Sequence, residues 1–456
     1  MEILILNLPY KRKIIRKYSC SYHANGFLYP PLELVRVASI IKEKSPNCKL
    51  SYIDAIALNL SYKKCNAEIL MLKPDIIITL TSIDFIGEER NYLKSLKTLI
   101  DAKLVVIGYI ASMFPHKFSF ADVVLGNNFE SLINEACVPD KISVEAFVTS
   151  LKANKDKDYN FDPDIIQKVD LSFVDNNLYS ELFAKGKTAF TYFSFGCPYK
   201  CTYCIRTYGL NKHYYRSTEN ILNEIEEYGK KGYKNIRLLD DNCNLNKDLL
   251  CKILDYQNKQ GVEFNYFGLT RLDLLDEESL DLFGKLKFKN LLIGIETINE
   301  KTQIEYNKKL DLDFANINDK FSLLKKKGVE ITVFILFNPL TETKLDLKKT
   351  LKFLSKLPIN NAGLSFVNPY PGTELFKKNR NEIDFYFENE YKSQFNEKYY
   401  KNIKSVELWF MVSFYLSSPK RIFYLLKKSL LNPRQVFKII CGSFGYLFTK
   451  EKNNYF

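Results

Sequence analysis

The sequence is poor in histidine and contains no long apolar run. Its 456 residues include three histidines, His23, His116 and His213, which lie far apart in the chain. A histidine-based metal centre is therefore not expected. No apolar segment reaches the roughly 18–20 residues that a membrane-spanning helix needs, and residues 1–5 begin a strand pattern rather than a secretory signal. We expect a cytoplasmic protein with roughly two or three domains and reduced cysteines.

Acidic residues are scarce at the C-terminal end of the sequence. The formal net charge is +13, and residues 401–456 contribute +8 of it, from ten Lys or Arg and two Glu. The other 400 residues carry only +5, so general nucleic-acid binding is not expected. Residues 401–456 are rich in Leu, Ile and Phe, and Ser418-Pro419 and Asn432-Pro433 are helix-start signals. Two uses of these helices stay open: packing on the rest of the protein, and peripheral contact with the anionic inner face of a membrane.

Three of the ten cysteines form a short run. Cys197, Cys201 and Cys204 have C-x3-C-x2-C spacing, which can hold a 4Fe-4S cluster and leave one iron without a protein ligand. Two other uses stay open here: a disulfide with a spare thiol, and a zinc site completed by His213 or Cys243. The cluster is favoured, because zinc sites prefer paired C-x2-C units and the chain has no secretory context.

The first 140 residues alternate apolar strands with amphipathic helices. Strands are predicted at 3–8, 49–54, 75–80, 104–108 and 122–125, and helices at 32–44 and 93–99. This order is typical of an α/β domain with a doubly wound, Rossmann-like parallel sheet. Ligands of such sheets bind at the carboxyl ends of the strands, where Gly108 falls. We expect this domain at 1–140 and a polar linker at 141–187.

A second alternation of strands and helices begins at Thr188. Its strands are predicted at 188–195, 235–239, 263–269, 290–296, 330–337 and 362–368. Six βα units indicate a partial TIM-type barrel over residues 188–375. The cysteine run follows its first strand, at the end where barrel enzymes have their active sites. Residues 376–456 are predicted to be a helical, basic C-terminal region.

The cysteine run and four later motifs resemble one family. The segment Gly196-Cys-Pro-Tyr-Lys-Cys-Thr-Tyr-Cys204 is similar to the cluster loop of the radical S-adenosylmethionine superfamily. The resemblance continues at Asp240-Asp-Asn242, Ile293-Gly-Ile-Glu-Thr297, Phe334-Ile-Leu336 and Asn368-Pro-Tyr-Pro-Gly-Thr-Glu-Leu375. These motifs resemble the subgroup with an N-terminal cobalamin (B12)-binding domain.

The resemblance implies a chemistry and its cofactors. A 4Fe-4S cluster on the three cysteines would take one electron from a flavodoxin- or ferredoxin-type reductant and cleave S-adenosylmethionine to a 5'-deoxyadenosyl radical. Cobalamin would allow methyl transfer to an unactivated carbon or phosphorus. The substrate would be a small or lipid-like molecule. Such cofactors carry the difficult chemistry, while the protein binds, orients and excludes water.

The resemblance also implies cofactor-binding residues. Tyr203 would flank the adenine, Asp241 would face the amino end of the methionine part, and Glu296 would lie near the ribose or the carboxylate. Arg271 would pair with a carboxylate, and Gly108 would face cobalamin. Each has an ordinary alternative: packing for Tyr203, chain capping for the two acids and a surface salt bridge for Arg271.

The sequence departs from the family pattern at several points. It lacks the Asp-x-His-x-x-Gly segment that supplies a lower ligand to cobalt in many cobalamin domains. Tyr109 follows Gly108 where relatives have a second glycine, and residues 337–343 lack both glycines of a Gly-x-Pro-Gly-Glu-Thr segment. Two further functions therefore stay open. One is a radical cyclase or oxidase with a degenerate cobalamin domain, and the other is a non-catalytic iron-sulfur protein whose basic tail binds membrane or RNA.

Overall fold

The fold contains two parallel sheets that follow each other in the chain. A computed structural model of the protein describes residues 1–10, 13–16, 21–23, 27–137, 143–155, 161–165, 169–205, 212–379, 385–386, 392–393 and 403–437. The first sheet has five strands and the second has six. Helices pack on both sheets and form the C-terminal region. The predicted fold class is confirmed.

The first sheet consists of short apolar strands joined by helices. Its elements are β1 (Glu2–Asn7), β2 (Ile14–Arg16), β3 (Ser21–His23), α1 (Leu32–Lys44), β4 (Lys49–Asp54), α2 (Tyr62–Leu72), β5 (Ile76–Leu80), α3 (Ile86–Leu99), β6 (Lys103–Ile107), α4 (Tyr109–Met113), β7 (Val123–Leu125), α5 (Phe129–Ala136) and α6 (Val144–Asn154). The parallel strand order is β4-β1-β5-β6-β7, and β2 and β3 form a separate hairpin. The connections reverse direction between β1 and β5, which is the switch point where ligands of such sheets bind.

The second sheet is an open, six-stranded parallel sheet. Its elements are β8 (Thr188–Thr191), β9 (Ser194–Phe195), β10 (Tyr214–Tyr215), α7 (Thr218–Lys230), β11 (Asn235–Leu238), α8 (Lys247–Gln260), β12 (Asn265–Arg271), α9 (Glu277–Lys285), β13 (Phe288–Glu296), α10 (Glu300–Glu305), α11 (Phe314–Lys326), β14 (Glu330–Phe337), α12 (Lys344–Lys356), β15 (Asn361–Phe366) and α13 (Glu374–Lys378). The order is β15-β14-β13-β12-β11-β8, and β9 and β10 form a small antiparallel pair. Short 3-10 helices lie at Ile83–Phe85, Pro115–Phe118, Leu171–Phe173 and Leu272–Leu274.

The predicted strands agree with the structure at all but one position. Ten of the eleven coincide within two residues at each end. The strand predicted at 188–195 divides instead into β8 and β9. The division has a physical cause, because the Phe193 N–H and the Ser194 hydroxyl both donate to the side chain of Asp240 (3.0 and 2.6 Å) rather than to a neighbouring strand.

The linker predicted at 141–187 is wrong in part. Its residues 144–154 form α6, whose Phe147, Val148 and Leu151 are buried. Their spacing is that of one face of a helix, which the surrounding polar residues obscured. Further along, the Tyr179 hydroxyl donates to Asp54 at the end of β4 (2.5 Å). Much of this segment therefore packs on the first sheet, and the other predicted domain boundaries stay predictions.

The C-terminal region contains two longer helices and a short hairpin. The helices are α14 (Ile403–Leu416) and α15 (Pro419–Leu431), and residues 433–437 are also helical. Both predicted helix starts are confirmed. The strands β16 (Phe385–Tyr386) and β17 (Lys392–Ser393) pair in a region predicted to be helical, where aromatic residues favour strands. Across the described ranges, no helix is long and apolar enough to cross a membrane.

Candidate cluster and cofactor site

The three cysteines lie on a loop at the carboxyl end of β8 and β9. Gly196, directly after β9, has a φ of +76°, a left-handed conformation that favours glycine. The loop is fixed at Thr202, whose N–H donates to the Tyr306 carbonyl (3.1 Å) and whose carbonyl accepts from the Leu375 N–H (2.9 Å). Segments after β13 and β15 therefore hold the loop through its backbone.

Cys197 is the most buried of the three cysteines. Its Sγ accepts a hydrogen bond from Asn242 Nδ2 (3.3 Å). Burial and, second, the Asp241 carboxylate raise the pKa of the Cys197 thiol to about 11. The unbound thiol is therefore protonated at neutral pH, and it must lose its proton when it binds a metal. The Asn242 N–H then stabilises the thiolate, as donors around sulfur ligands do.

Cys201 is paired with an arginine from a neighbouring strand. Arg271, the last residue of β12, donates through one terminal nitrogen to Cys201 Sγ (3.2 Å). The guanidinium also forms two hydrogen bonds to Asp273 (2.9 and 3.0 Å) and lies 3.8 Å from the ring centre of Tyr199. The sequence predicts a cofactor carboxylate as its partner. In this structure the partners of Arg271 are groups of the protein itself. Asp273 and Tyr199 hold the guanidinium so that its positive charge faces the cluster loop.

The two neighbouring aspartates after β11 have different surroundings. Asp240 is buried and accepts hydrogen bonds from Phe193 and Ser194, so it fixes the bend between β8 and β9. Burial raises the pKa of Asp240 to about 6. Asp241 is only half-buried, and its negative charge acts on Cys197. Asp241 therefore lies beside the cluster loop, and its contact with a bound cofactor stays a prediction.

Glu296 ends β13 in a strained conformation beside a buried lysine. Its φ is +67°, unusual for a residue with a side chain. Lys308 Nζ donates to Glu296 Oε1 (2.7 Å). A Cβ on Gly294 would collide with the Glu296 carboxylate and would lie 2.9 Å from Lys308 Nζ. Gly294 thus leaves the space in which this ion pair forms, and contact of Glu296 with a cofactor stays a prediction.

Tyr203 packs against protein rather than pointing away from it. Its ring meets that of Tyr306 edge to face, with 4.7 Å between centroids, and both lie in a small apolar cluster with Val367 and Leu375. Burial, followed by the charge of Glu296, raises the pKa of Tyr203 well above its ordinary value. The structure therefore shows the Tyr203 ring in ordinary packing, the alternative given in the sequence analysis. Contact of Tyr203 with an adenine stays a prediction.

The donor set fits a four-iron cluster better than a disulfide or a zinc ion. Cys197 and Cys201 are thiols, not a disulfide. Among the residues with described positions, no group of three or more His, Cys, Asp or Glu is placed to hold a single ion. This finding gives no support to a zinc site with His213 or Cys243. A four-iron cluster instead takes one thiolate at each of several irons, so separated thiolates with N–H donors behind two of them suit it.

The edge predicted to face cobalamin lies between the two sheets. Gly108 has a φ of +145°, and a Cβ there would lie 2.9 Å from Thr81 Oγ1, so glycine is required. The Tyr109 hydroxyl donates to the Pro371 carbonyl (3.4 Å). A Cβ on Gly372 would collide with the Tyr109 hydroxyl. Tyr109 therefore reaches from the edge of the first sheet to that of the second.

Two buried polar atoms at this edge suit a ligand. Thr81 Oγ1, after β5, and Asn368 Oδ1, after β15, have no hydrogen-bond partner within the described part of the chain. Native structures rarely leave such atoms unsatisfied, so they fit a polar molecule between the sheets. In the position seen here the Tyr109 side chain stands between the two edges, so a corrinoid there would require Tyr109 to turn away from Pro371.

The protein itself fills the switch point of the first sheet. Arg16 is buried and donates to Asn7 Oδ1 (2.5 Å) and Glu89 Oε1 (2.7 Å). Asn7 donates in turn to Asp54 Oδ1 (2.8 Å). The carboxyl ends of β1 and β4 are thus occupied by side chains of the protein. A ligand of this sheet would therefore use the end at Gly108.

Three residues of the site were not predicted from the sequence. Asn242 directly follows Asp241, and Asp273 stands two residues after Arg271. Because Asp241 and Arg271 were predicted as site residues, their closeness in sequence could have pointed to Asn242 and Asp273. Lys308 has none, because nothing in the sequence distinguishes it from the surface lysines. Its pairing with Glu296 depends on the path of the chain after α10.

Residues 191–354 match the family model of the radical SAM superfamily. The matched segment contains the cluster loop together with Asn242 and Arg271, the two residues that donate to its cysteines. This segment of the chain therefore matches the radical SAM superfamily. The first sheet lies before the matched segment.

Two curated relatives are similar over part of the chain. The bacteriochlorophyllide d C-8(2)-methyltransferase of Chlorobaculum tepidum is 28% identical over 202 residues, which are 41% of this chain and 44% of that protein. The tRNA-2-methylthio-N(6)-dimethylallyladenosine synthase of Finegoldia magna is 29% identical over 197 residues, 39% of this chain and 41% of that one. The chain thus spans less than half the length of these relatives.

Two solved structures are similar over both sheets. The radical SAM methyltransferase TsrM from Kitasatospora setae, solved with cobalamin and a 4Fe-4S cluster, has a TM-score of 0.57 at 16% identity and covers 82% of this chain and 73% of that chain. The cobalamin-dependent radical enzyme OxsB, solved with aqua-cobalamin, has a TM-score of 0.55 at 14% identity, with coverages of 87% and 56%. At these identities the similarity establishes the fold.

Proposed function

We propose that this chain is a radical SAM enzyme that cleaves S-adenosylmethionine and, with cobalamin, transfers a methyl group to an unactivated carbon or phosphorus. One observation carries the proposal: two cysteines of the cluster loop, Cys197 and Cys201, receive hydrogen bonds from Asn242 and Arg271. With Cys204 they would hold a 4Fe-4S cluster. The bound cluster supplies the electron, from an external flavodoxin- or ferredoxin-type reductant, that breaks a sulfur-carbon bond of S-adenosylmethionine.

Residues beside the loop would bind the methionine part of the cosubstrate. Asn242 Oδ1 is buried and has no hydrogen-bond partner within the described residues, while its Nδ2 donates to Cys197. This free acceptor, with the nearby negative charge of Asp241, suits the cationic amino group of S-adenosylmethionine. The pairing of Glu296 with Lys308 leaves that carboxylate in a fixed position at the end of β13.

Cobalamin would bind between the two sheet edges. Gly108 and the unsatisfied Thr81 hydroxyl would face it, and Tyr109 would have to leave Pro371. Bound cobalamin supplies a cobalt that carries a methyl group. Support comes from the solved structures with the same two-sheet fold and from the methyltransferase that is similar over 41% of the chain.

A second function is favoured by two features of the structure. Tyr109 stands between the edges, and Arg16 fills the switch point. Both observations suit a first domain that has lost its cofactor and binds substrate instead. The enzyme would then use the radical for a cyclisation or an oxidation, without cobalamin.

Anaerobic reconstitution tests the proposal. The full chain, loaded with iron and sulfide and given dithionite and S-adenosylmethionine, is expected to bind about four irons per chain and to form 5'-deoxyadenosine. Cys201→Ser should abolish product formation. Cys251→Ser, on α8 away from the loop, should not. Absence of 5'-deoxyadenosine and of S-adenosylhomocysteine in the loaded protein would refute the function, and corrinoid content after purification separates methyl transfer from the second function.

The proposal includes partners and location. The substrate would be a small or lipid-like molecule, as the family resemblance in the sequence implies. The external reductant would have to approach the cluster loop, where Cys204 is exposed. We place the enzyme in the cytoplasm, and a membrane contact would come from the C-terminal helices.

A further inference from the structure

The C-terminal helices have the greatest concentration of exposed apolar side chains in the part of the chain that the structure describes. Of 21 large exposed apolar side chains, eleven lie between Leu408 and Phe437. Phe423 and Leu430 are 68% and 83% exposed and stand seven residues apart, on one side of α15. Leu416, the last residue of α14, and Phe437, in the helical segment 433–437, are 66% and 67% exposed. Single exposed apolar residues are common, but a group of this size indicates an interaction surface.

Basic side chains accompany the apolar ones on this surface. Lys420 and Lys427 are exposed and also seven residues apart, and Arg434 follows at the same interval. Residues 408–437 contain no Asp or Glu. The outer side of α14 and α15, which we call the docking surface, therefore combines apolar groups with uncompensated positive charge.

The inner side of the same helices is firmly packed on the barrel. Phe410 and Phe414 of α14 are fully buried. The buried Arg421 donates to the carbonyls of Ser355 (3.1 Å) and Leu357 (2.9 Å). Packing on the rest of the protein and contact with a membrane are thus compatible uses of these helices, because one side of the helices packs and the other faces outward.

We propose that the docking surface binds an anionic lipid bilayer. Its apolar side chains would enter the interfacial region, and its lysines and Arg434 would pair with lipid phosphates, the arrangement that suits helices lying in the membrane plane. A second copy of the chain is a poor occupant, since its surface has the same positive charge and would repel the first. The exposed aliphatic and aromatic side chains also suit contact with lipid acyl chains better than contact with the charged backbone of a nucleic acid.

The α15 part of the docking surface lies at the end of the barrel opposite the cluster. α15 and the residues after it contact the amino ends of strands, as in the ion pair between Lys428 and Glu330 (2.7 Å), the first residue of β14. The cluster loop lies at the carboxyl ends. The bilayer would therefore hold the enzyme in place with its active site turned away from the lipid. This inference deepens the membrane contact named under the proposed function and does not depend on the proposed enzymatic activity.

Vesicle flotation of the full chain tests the proposal. The chain is expected to float with vesicles of phosphatidylcholine and phosphatidylglycerol and not with phosphatidylcholine alone, and added salt should weaken binding. Trp409, the single tryptophan, is on α14 and 39% exposed. Its fluorescence should shift to shorter wavelength with the anionic vesicles, and brominated lipid should quench it.

Variants of the docking surface identify the residues that bind. Phe423→Ser with Leu430→Ser should weaken binding about tenfold or more. Lys420→Gln with Lys427→Gln should weaken it about fivefold per charge removed. Leu345→Ser, 62% exposed on α12, is the matched control and should leave binding unchanged. Formation of 5'-deoxyadenosine should be the same in all variants, so failure here is distinguishable from failure of the proposed function.

Three outcomes would overturn the proposal. The first is no flotation with anionic vesicles. The second is equal binding by the docking-surface variants and the control. The third is a dimer in sedimentation that Phe423→Ser with Leu430→Ser dissociates, because the surface would then be an interface between two copies of the chain.

Discussion

Replacing Arg271 by glutamine tests how the protein sets the reduction potential of a cluster on the loop. The Arg271 guanidinium lies 3.2 Å from Cys201 Sγ and is held there by Asp273 and by the ring of Tyr199. A reduced cluster has one more negative charge than an oxidised one. A nearby positive charge therefore favours reduction, and its removal should make the potential more negative.

The size of the shift follows from the geometry. Two unit charges 3.2 Å apart interact by about 5 kcal/mol at an effective dielectric constant near 20. The added electron is shared over the cluster, and the Asp273 carboxylate offsets much of the guanidinium charge. If about a quarter of the interaction remains, the loss is roughly 1.3 kcal/mol, or about 55 mV for a one-electron couple.

An anaerobic redox titration followed by electron paramagnetic resonance measures this shift. Asp273→Asn is the matched variant, because it keeps the arginine and removes the opposing charge, so its potential should become more positive. Iron content of both variants should equal that of the unmodified chain. A potential that does not move in Arg271→Gln, or that moves in the same direction in both variants, would show that Arg271 does not act on the cluster by its charge.

Three further predictions concern single residues. Tyr109→Ala should increase the corrinoid retained after incubation with hydroxocobalamin, measured by absorbance, because the side chain between the sheet edges is removed. Burial raises the pKa of Glu342 from 4.5 to about 7, so stability should fall as pH rises through this window. Glu342→Gln should then gain roughly 2–3 kcal/mol relative to the unmodified chain between pH 5 and 8 in urea unfolding. Gly294→Ala should cost about 1–3 kcal/mol, since its Cβ meets Glu296, whereas Gly229→Ala has room and should cost nothing.

Each of these predictions has a contradicting result. Unchanged corrinoid content in Tyr109→Ala would mean that Tyr109 does not limit cobalamin binding. A stability difference for Glu342→Gln that is the same at pH 5 and pH 8 would mean that this carboxyl is not held neutral by burial. Equal unfolding midpoints for Gly294→Ala and Gly229→Ala would mean that the Glu296 side chain moves freely.

The strands were predictable from the sequence because their signals are local. Runs of Ile, Val and Leu bounded by polar residues predicted eleven strands, and ten of these agree with the structure. α6 was missed because Phe147, Val148 and Leu151 stand among polar residues. The buried position of Arg16 was not predictable either, since arginine is ordinarily exposed and its partners Asn7 and Glu89 come from distant parts of the chain.

Of the candidate site, only the cysteine loop itself was predictable from the sequence. The spacing of the cysteines is a local property, but the donors behind them are not. Asn242 reaches Cys197 and Arg271 reaches Cys201 because β11 and β12 end beside the loop. Such contacts depend on the order of strands in the sheet, which composition and spacing do not specify. The same holds for the contact of Tyr109 with Pro371 between the two sheets.

The backbone hydrogen bonds of Thr202 bear on when the cysteine loop reaches its final form. Its partners are Tyr306 and Leu375, 104 and 173 residues further along the chain. During synthesis the cysteine loop leaves the ribosome long before either partner exists. The loop therefore has its final form only after the sixth βα unit is complete. Iron delivery that begins earlier would meet three thiols on an unfixed segment, so assembly of the cluster should be a late, post-translational event.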